Sequence, residues 1–156
     1  MQEEILQALH PLIGEPLSDM FRFAGIQAFD FGVQRPAKNR KGEDITVSDQ
    51  GLHISCSWIV AGPEGDIFSS KDFGPEGSRR DENAYPFYAM LADNAPVVES
   101  IEAEETGAFC LHLSRGYRLT VRPDEMVEEP DEEQWRYLPK DESLNHFVLT
   151  LQGIES

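Results

Sequence analysis

One stretch in the middle of the chain constrains the fold most, because its apolar residues recur at every second position. Over residues 49–61 the apolar side chains of one face are Leu52, Ile54, Cys56, Trp58 and Val60. Strand side chains point alternately to two faces, so this period predicts a β-strand with one buried face. A five-residue turn at 62–66 and a partner strand at 67–73 complete a predicted β-hairpin.

The same period of two recurs along most of the chain. Further strands are predicted at residues 26–33, 97–103, 108–114, 117–122, 135–138 and 146–151. Arg115 and Gly116 separate two of these segments and are typical of a tight turn, which predicts a second hairpin. The basic residues of 35–41 accompany Pro36 and Gly42, which favours an exposed loop.

Helical spacing is confined to short segments. Ile5, Leu6 and Leu9 recur at helical intervals, and the acidic first turn suits a helix N-terminus, so a helix is predicted over residues 3–9. A second short helical turn is predicted over 17–24, and another over 87–92. Since no helix alternates regularly with the strands, parallel βαβ units are excluded. We therefore expect one α+β domain over residues 1–156, a strand-rich, mainly antiparallel sheet or roll with one or two short N-terminal helices.

Charge is the main compositional signal for function. The 29 acidic residues exceed the 13 basic residues, and the formal net charge is −16. Such a field repels nucleic acid and anionic membranes and attracts basic proteins and cations. One dense acidic run is predicted to be a solvated loop and a candidate interaction surface. It comprises Asp124, Glu125, Glu128, Glu129, Asp131, Glu132 and Glu133.

The cysteines, the start of the sequence and the length of its apolar runs together indicate the cellular compartment. Cys56 and Cys110 are too few for a disulfide framework and lie in apolar strand-like runs. The acidic start is unlike a secretory signal, and no apolar run approaches the roughly 20 residues of a membrane helix. We expect a reduced, cytoplasmic protein.

Motifs for catalysis, cofactors and metals are weak. The two Gly-Pro-Glu-Gly turns lack the Gly-Lys-Ser/Thr of a phosphate loop, and no Gly-x-Ser-x-Gly elbow occurs. Cys110 and His112 share one strand face, but a structural zinc site needs four ligands. The sequence predicts no cofactor, metal site or catalytic residue, and it favours a non-enzymatic role without excluding catalysis.

One candidate pocket follows from the central strand. His53, Ser55 and Ser57 lie on the face opposite its apolar residues. If the N-terminal helices pack against this face, the three polar side chains line a pocket between helix and sheet.

Three segments together resemble a family of small uncharacterised bacterial proteins. They are Leu-His-Ile-Ser-Cys-Ser-Trp at 52–58, Glu-Gln-Trp-Arg at 133–136 with His-Phe-Val at 146–148, and Leu-Ile-Gly-Glu-Pro-Leu at 12–17. No function is known for that family, so the resemblance implies no activity, cofactor or site residue.

Three functions remain open. The first is a non-enzymatic interaction module that docks a basic partner through its acidic surface, as immunity proteins do with basic toxins. The second is a small-ligand-binding or enzymatic β-roll with a pocket lined by the His53 face. The third is a structural subunit, in which an exposed strand edge or an apolar patch joins two copies as a homodimer in place of a monomer.

Overall fold

The computed structural model describes residues 1–72, 84–123 and 132–155, which form two sheets, a small hairpin and two α-helices. The helices are α1 (Gln2–Leu9) and α2 (Tyr85–Asn94). The first seven strands are β1 (Leu17–Phe23), β2 (Ile26–Phe31), β3 (Arg35–Lys38), β4 (Asp44–Val47), β5 (Gln50–Ile54), β6 (Ser57–Gly62) and β7 (Gly65–Ser69). The others are β8 (Val98–Ala103), β9 (Phe109–Leu113), β10 (Arg118–Arg122), β11 (Glu133–Leu138), β12 (Phe147–Thr150) and β13 (Gly153–Glu155).

The strands pair antiparallel throughout the described residues. A six-stranded sheet has the order β1-β2-β5-β11-β12-β13, and a five-stranded sheet has the order β7-β6-β10-β9-β8. Strands β3 and β4 pair only with each other. The predicted class, α+β and strand-rich with mainly antiparallel sheet, is confirmed. Neither α-helix in the described ranges has the length and apolar character needed to cross a bilayer.

The predicted central strand at 49–61 consists of two strands that belong to different sheets. β5 lies inside the six-stranded sheet, β6 lies in the five-stranded sheet, and the chain crosses at Ser55 and Cys56. The amides of both crossing residues donate to the carbonyl oxygen of Gln134, at 2.9 and 3.2 Å. The alternation of apolar residues continues through the crossing because both sheets direct their inner faces toward one core.

That core joins the two sheets through aromatic rings. Phe29 of β2 meets Trp58 of β6 edge to face, with ring centroids 5.3 Å apart. Phe109 of β9 meets Trp135 of β11 at 4.7 Å. The indole nitrogen of Trp135 is buried and donates to the carbonyl oxygen of Gly107, 2.9 Å away, so burial of this ring leaves its polar atom satisfied.

The N-terminal helix adds aliphatic side chains to the same core. Ile5 and Leu9 of α1 are fully buried, and so is Leu12 in the 3-10 turn that follows. Two side-chain hydrogen bonds reach the segment that follows α1. The Gln50 side-chain nitrogen donates to the Pro11 carbonyl oxygen, and the Tyr137 hydroxyl donates to the Gln50 side-chain oxygen. These bonds attach the helical segment to β5 and β11.

Three local predictions need correction. Residues 17–24 are not a helical turn but strand β1, because pairing with β2 through a turn at Ala24 and Gly25 outweighs the helical spacing. The basic segment 35–41 is not wholly a loop, since Arg35–Lys38 pairs with β4. The first hairpin closes as far as Gly62 opposite Gly65, so its turn is shorter than the five residues predicted.

The glycine at 107 is required by both backbone and packing. Its φ is +95°, and a Cβ built there lies 2.3 Å from Cδ2 of the buried Leu149.

We expect Gly107→Ala to lower the free energy of unfolding by about 2–4 kcal/mol through overpacking and backbone strain. Gly42→Ala is the matched control: φ is +79° but the site is open, so about 1 kcal/mol is expected. Urea denaturation of both variants measures the difference, and equal losses would contradict the packing argument.

Candidate functional site

A groove of about 360 Å³ lies on the outer face of the six-stranded sheet. We name it the Gly51 groove after the residue at its floor; its lining includes Asp30, Ser48, Gly51, His53, Leu138 and His146. Alternation along β5 explains its position, since Leu52 and Ile54 point into the core while Gly51 and His53 point outward. A Cβ at Gly51 would lie 3.5 Å from Asp30 Oδ1 and 4.0 Å from Leu138 Cβ, so the absent side chain leaves the hollow.

Asp30 forms one wall of the groove. It lies on β2 opposite Asp19 of β1 on one side and Gly51 of β5 on the other. Burial of its carboxyl group and the nearby charge of Asp19 raise its pKa to about 6. The nearby Ser48 hydroxyl opposes this shift and lowers the pKa of Asp30, although the two groups do not meet with the geometry of a normal hydrogen bond. Asp30 is therefore a carboxyl group that holds its proton in mildly acidic solution.

His53 lies next to the floor of the groove, two residues beyond Gly51 on β5. Its neighbours in register are Ala28 of β2 and Arg136 of β11, and Phe23 of β1 meets the imidazole edge to face at 5.2 Å. Burial lowers the pKa of His53, and the charges of Arg136 and His146 lower it further, while Glu133 opposes them. The imidazole is therefore neutral at neutral pH, with one nitrogen donating and one accepting.

Arg136 links His53 to a second imidazole. Its Nε lies 2.9 Å from Glu133 Oε1, and its Nη1 lies 2.9 Å from Nδ1 of His146. Because a guanidinium only donates, Nδ1 of His146 is the acceptor in this contact. Glu133 thus orients Arg136, and Arg136 orients His146 at the edge of the groove.

The opposite end of the groove carries cations held by a carboxylate. Asp49 lies 3.7 Å from both Arg35 Nε and Lys140 Nζ. Its side chain is only 15% exposed, whereas the two cations are mostly exposed. The two ends of the groove therefore differ, with Arg35 and Lys140 at one end and His53 and His146 at the other, and Asp30 lies between them beside Gly51.

The structure brings only one of the three predicted pocket residues into this groove. His53 lines it, whereas Ser55 lies at the crossing and Ser57 pairs with Arg122 in the five-stranded sheet. The three residues do not form a common face, because the bend between β5 and β6 places them on different sheets. The groove is also on the sheet's outer face and not between the sheet and α1.

The predicted acidic surface is only partly described. Asp124, Glu125, Glu128, Glu129 and Asp131 lie outside the described residues. Glu132 is exposed. Glu133 is not part of a solvated loop: it begins β11 and is half-buried in its ion pair with Arg136.

Cys110 and His112 share the outer face of the five-stranded sheet. Thr120 Oγ1 lies 3.5 Å from Cys110 Sγ, and Glu102 lies 3.3 Å from His112 Nε2 without the alignment of a hydrogen bond. Within residues 1–72, 84–123 and 132–155, no three His, Cys, Asp or Glu side chains are placed to hold a metal ion.

Sequence reasoning missed Asp30, Ser48 and Gly51. An acidic residue inside an alternating strand and a glycine inside a strand are signals of a polar face and of a hollow. Neither signal shows that residue 30 and residue 51 are neighbours, because that follows from the pairing of β2 with β5.

No protein-family model, curated protein or solved structure matches this chain. The resemblance of the Leu-His-Ile-Ser-Cys-Ser-Trp segment to a bacterial family stays a prediction. A function is therefore argued from the Gly51 groove and from the distribution of charge.

The raised pKa of Asp30 has a consequence for stability. Since its folded pKa of about 6 exceeds the value of 3.8 for an unperturbed aspartate, the folded state binds the proton more tightly, and stability falls as pH rises between these values. We expect Asp30→Asn to be more stable than the parent by about 1–2 kcal/mol near pH 7, after allowance for solvent screening, and to gain little near pH 4.

Thermal or urea unfolding across this pH range measures the effect. Asp66→Asn, which removes the same charge from exposed strand β7, is the control. A pH-independent gain in Asp30→Asn, or an equal gain in both variants, would contradict the assignment.

Proposed function

We propose that this protein binds a small polar ligand in the Gly51 groove. The observation that carries the proposal is the placement of two half-buried titratable side chains, Asp30 and His53, beside a floor without a side chain. A volume of about 360 Å³ falls within the range of small-molecule sites.

The polar groups of the groove are suited to recognition. The pKa of Asp30 is raised and that of His53 is lowered, so near neutral pH the carboxylate of Asp30 accepts hydrogen bonds, whereas the neutral imidazole of His53 offers one donor and one acceptor. Perturbed pKa values of this kind cluster at functional sites. The Glu133–Arg136–His146 chain holds the neighbouring side chains in place, which limits the ordering cost of binding.

Binding is tested with a panel of millimolar fragments: alkylamines, carboxylates, amides, inorganic phosphate and sugars. We expect at least one class to shift the backbone NMR signals of Asp30, Gly51 and His53 and to leave the five-stranded sheet unchanged. Gly51→Val fills the floor with a residue that favours strands and should abolish these shifts. Thr120→Val, on the outer face of the other sheet, is the control and should keep them. A panel in which no class moves these signals in the parent protein would refute the proposal.

The charge of the chain favours a second candidate function, docking of a basic protein partner. Exposed acids of α1 adjoin those of β8 and the residues after it: Glu105 lies 3.4 Å from the N-terminal amine and accepts from the amide of Gln2. We name this region the α1–β8 acidic surface; it comprises Glu3, Glu4, Glu99, Glu102, Glu104 and Glu105. Adjacent carboxylates speed and orient the approach of a basic partner.

Docking is tested with an oligolysine peptide as the probe. We expect its affinity to fall as salt is added, and to fall about threefold or more when Glu102 and Glu105 are both changed to Lys. Glu64→Lys with Asp66→Lys makes the same charge change at the β6–β7 turn and should cost less. Equal losses in the two double variants would show an effect of net charge alone and reject this surface.

The remaining predictions stay proposals. Cys56 and Cys110 are not joined in a disulfide, which supports a reducing, cytoplasmic compartment. The homo-oligomeric subunit stays an alternative, which the mass in solution decides.

A further inference from the structure

Building on the ligand site proposed above, we infer that the Gly51 groove takes a primary alkylammonium ion, with its charged head at Asp30 and its alkyl stem along Leu138 and Leu144. This inference rests on the proposed function and adds the chemical class of the ligand.

The head-group position is defined by an unbalanced pair of carboxyl groups. Asp30 and Asp19 are opposite each other across β1 and β2. Among the residues that the structure describes, no Lys, Arg or His lies within ion-pair distance of Asp30. Arg35 and Lys140, which line the groove, pair with Asp49 instead. A half-buried carboxylate without a counter-charge is costly, and a bound cation supplies the missing charge.

An ammonium ion also matches the local hydrogen-bonding groups. Its three N–H donors need acceptors, and the groove offers the Asp30 carboxylate and the Ser48 hydroxyl oxygen, which accepts no hydrogen bond from the described residues. The floor at Gly51 leaves space beside Asp30 Oδ1 that any larger residue would occupy.

The stem position follows from the apolar part of the lining. Leu138 borders the floor opposite Asp30, and Leu144 also lines the groove with 57% of its surface exposed. A short alkyl chain that covers Leu144 removes apolar surface from water. The net charge of −16 raises the local concentration of any cation around the protein.

The other charged groups of the groove limit where the head group binds. His53, His146 and Glu142 line it, as do Arg35 and Lys140 with their shared Asp49. The two cations disfavour an ammonium ion at their end. Asp30 is therefore the preferred anchor.

The experiment compares pentylamine with 1-pentanol and pentanoate, which keep the stem and change the head. We expect only pentylamine to shift the backbone NMR signals of Asp30 and Gly51. Asp30→Asn should weaken pentylamine binding about tenfold or more, the effect of losing one charge-assisted contact. Asp66→Asn, which changes the net charge equally on β7, should leave the affinity near that of the parent.

A pH series tests the same inference on the parent protein, without any substitution. Because the amine stays protonated and binds the ionised carboxylate, its affinity should rise about tenfold between about pH 5 and pH 7.5. The carboxyl carbon of Asp30, followed by NMR, should titrate at lower pH when pentylamine is present. A pH-independent affinity, or an unchanged titration, would overturn the inference.

The outcomes separate this inference from the proposed function. Binding of pentanoate or pentanol in the groove, without pentylamine, overturns the ammonium assignment and leaves a ligand site. If no compound binds there, the ammonium assignment also fails, and the fragment panel then decides the proposed function. A capped Gly-Lys-Gly peptide distinguishes the source of the head group: tighter binding than pentylamine assigns it to a lysine side chain of a partner, and weaker binding assigns it to a free amine.

Discussion

The crossing of the chain at Ser55 and Cys56 is the constraint on which the rest of the structure depends. Two successive amides share the Gln134 carbonyl oxygen there, so the backbone donors of both crossing residues have an acceptor. β5 and β6 thereby enter different sheets while their apolar side chains stay directed toward one core. Phe29 and Trp58 then meet across the interior, and the two sheets pack as a single hydrophobic unit.

The groove follows from where β5 lies after that bend. As an inner strand of the six-stranded sheet, it sits between β2 and β11, which supply Asp30 on one side and Leu138 and Arg136 on the other. The inner residues of β5 secure it in the core, so its outer residues carry little of the packing. Gly51 and His53 are thus held on a rigid element but are open to a ligand, a combination that favours precise recognition.

The chemistry of the Gly51 groove depends on its charged residues and on those beside it. Most ion pairs of the groove are internal: Asp49 engages Arg35 and Lys140, and Glu133 engages Arg136. Asp30 is in none of these ion pairs, and its desolvated carboxyl group beside Asp19 carries a free-energy cost that a bound cation relieves. The same physical reasoning connects the stability of the free protein with its ligand preference, because both depend on one carboxyl group and its proton.

Local sequence by itself determined four features: alternation gave the strand-rich class and the buried face of residues 52–60, turn residues gave the Arg115–Gly116 hairpin, and helical spacing gave helix α1. Each of these depends on neighbours in the chain. Alternation also placed His53 on a polar face. Only tertiary structure decided that 49–61 divides between two sheets, that 17–23 is a strand despite its helical spacing, and that Ser57 lies in a different sheet from His53. Tertiary structure alone also decided that Asp30 and Gly51 lie together in one site. Their contact depends on which strands pair, and pairing is selected by the burial of both sheets against each other, a property of the whole chain that no local period encodes.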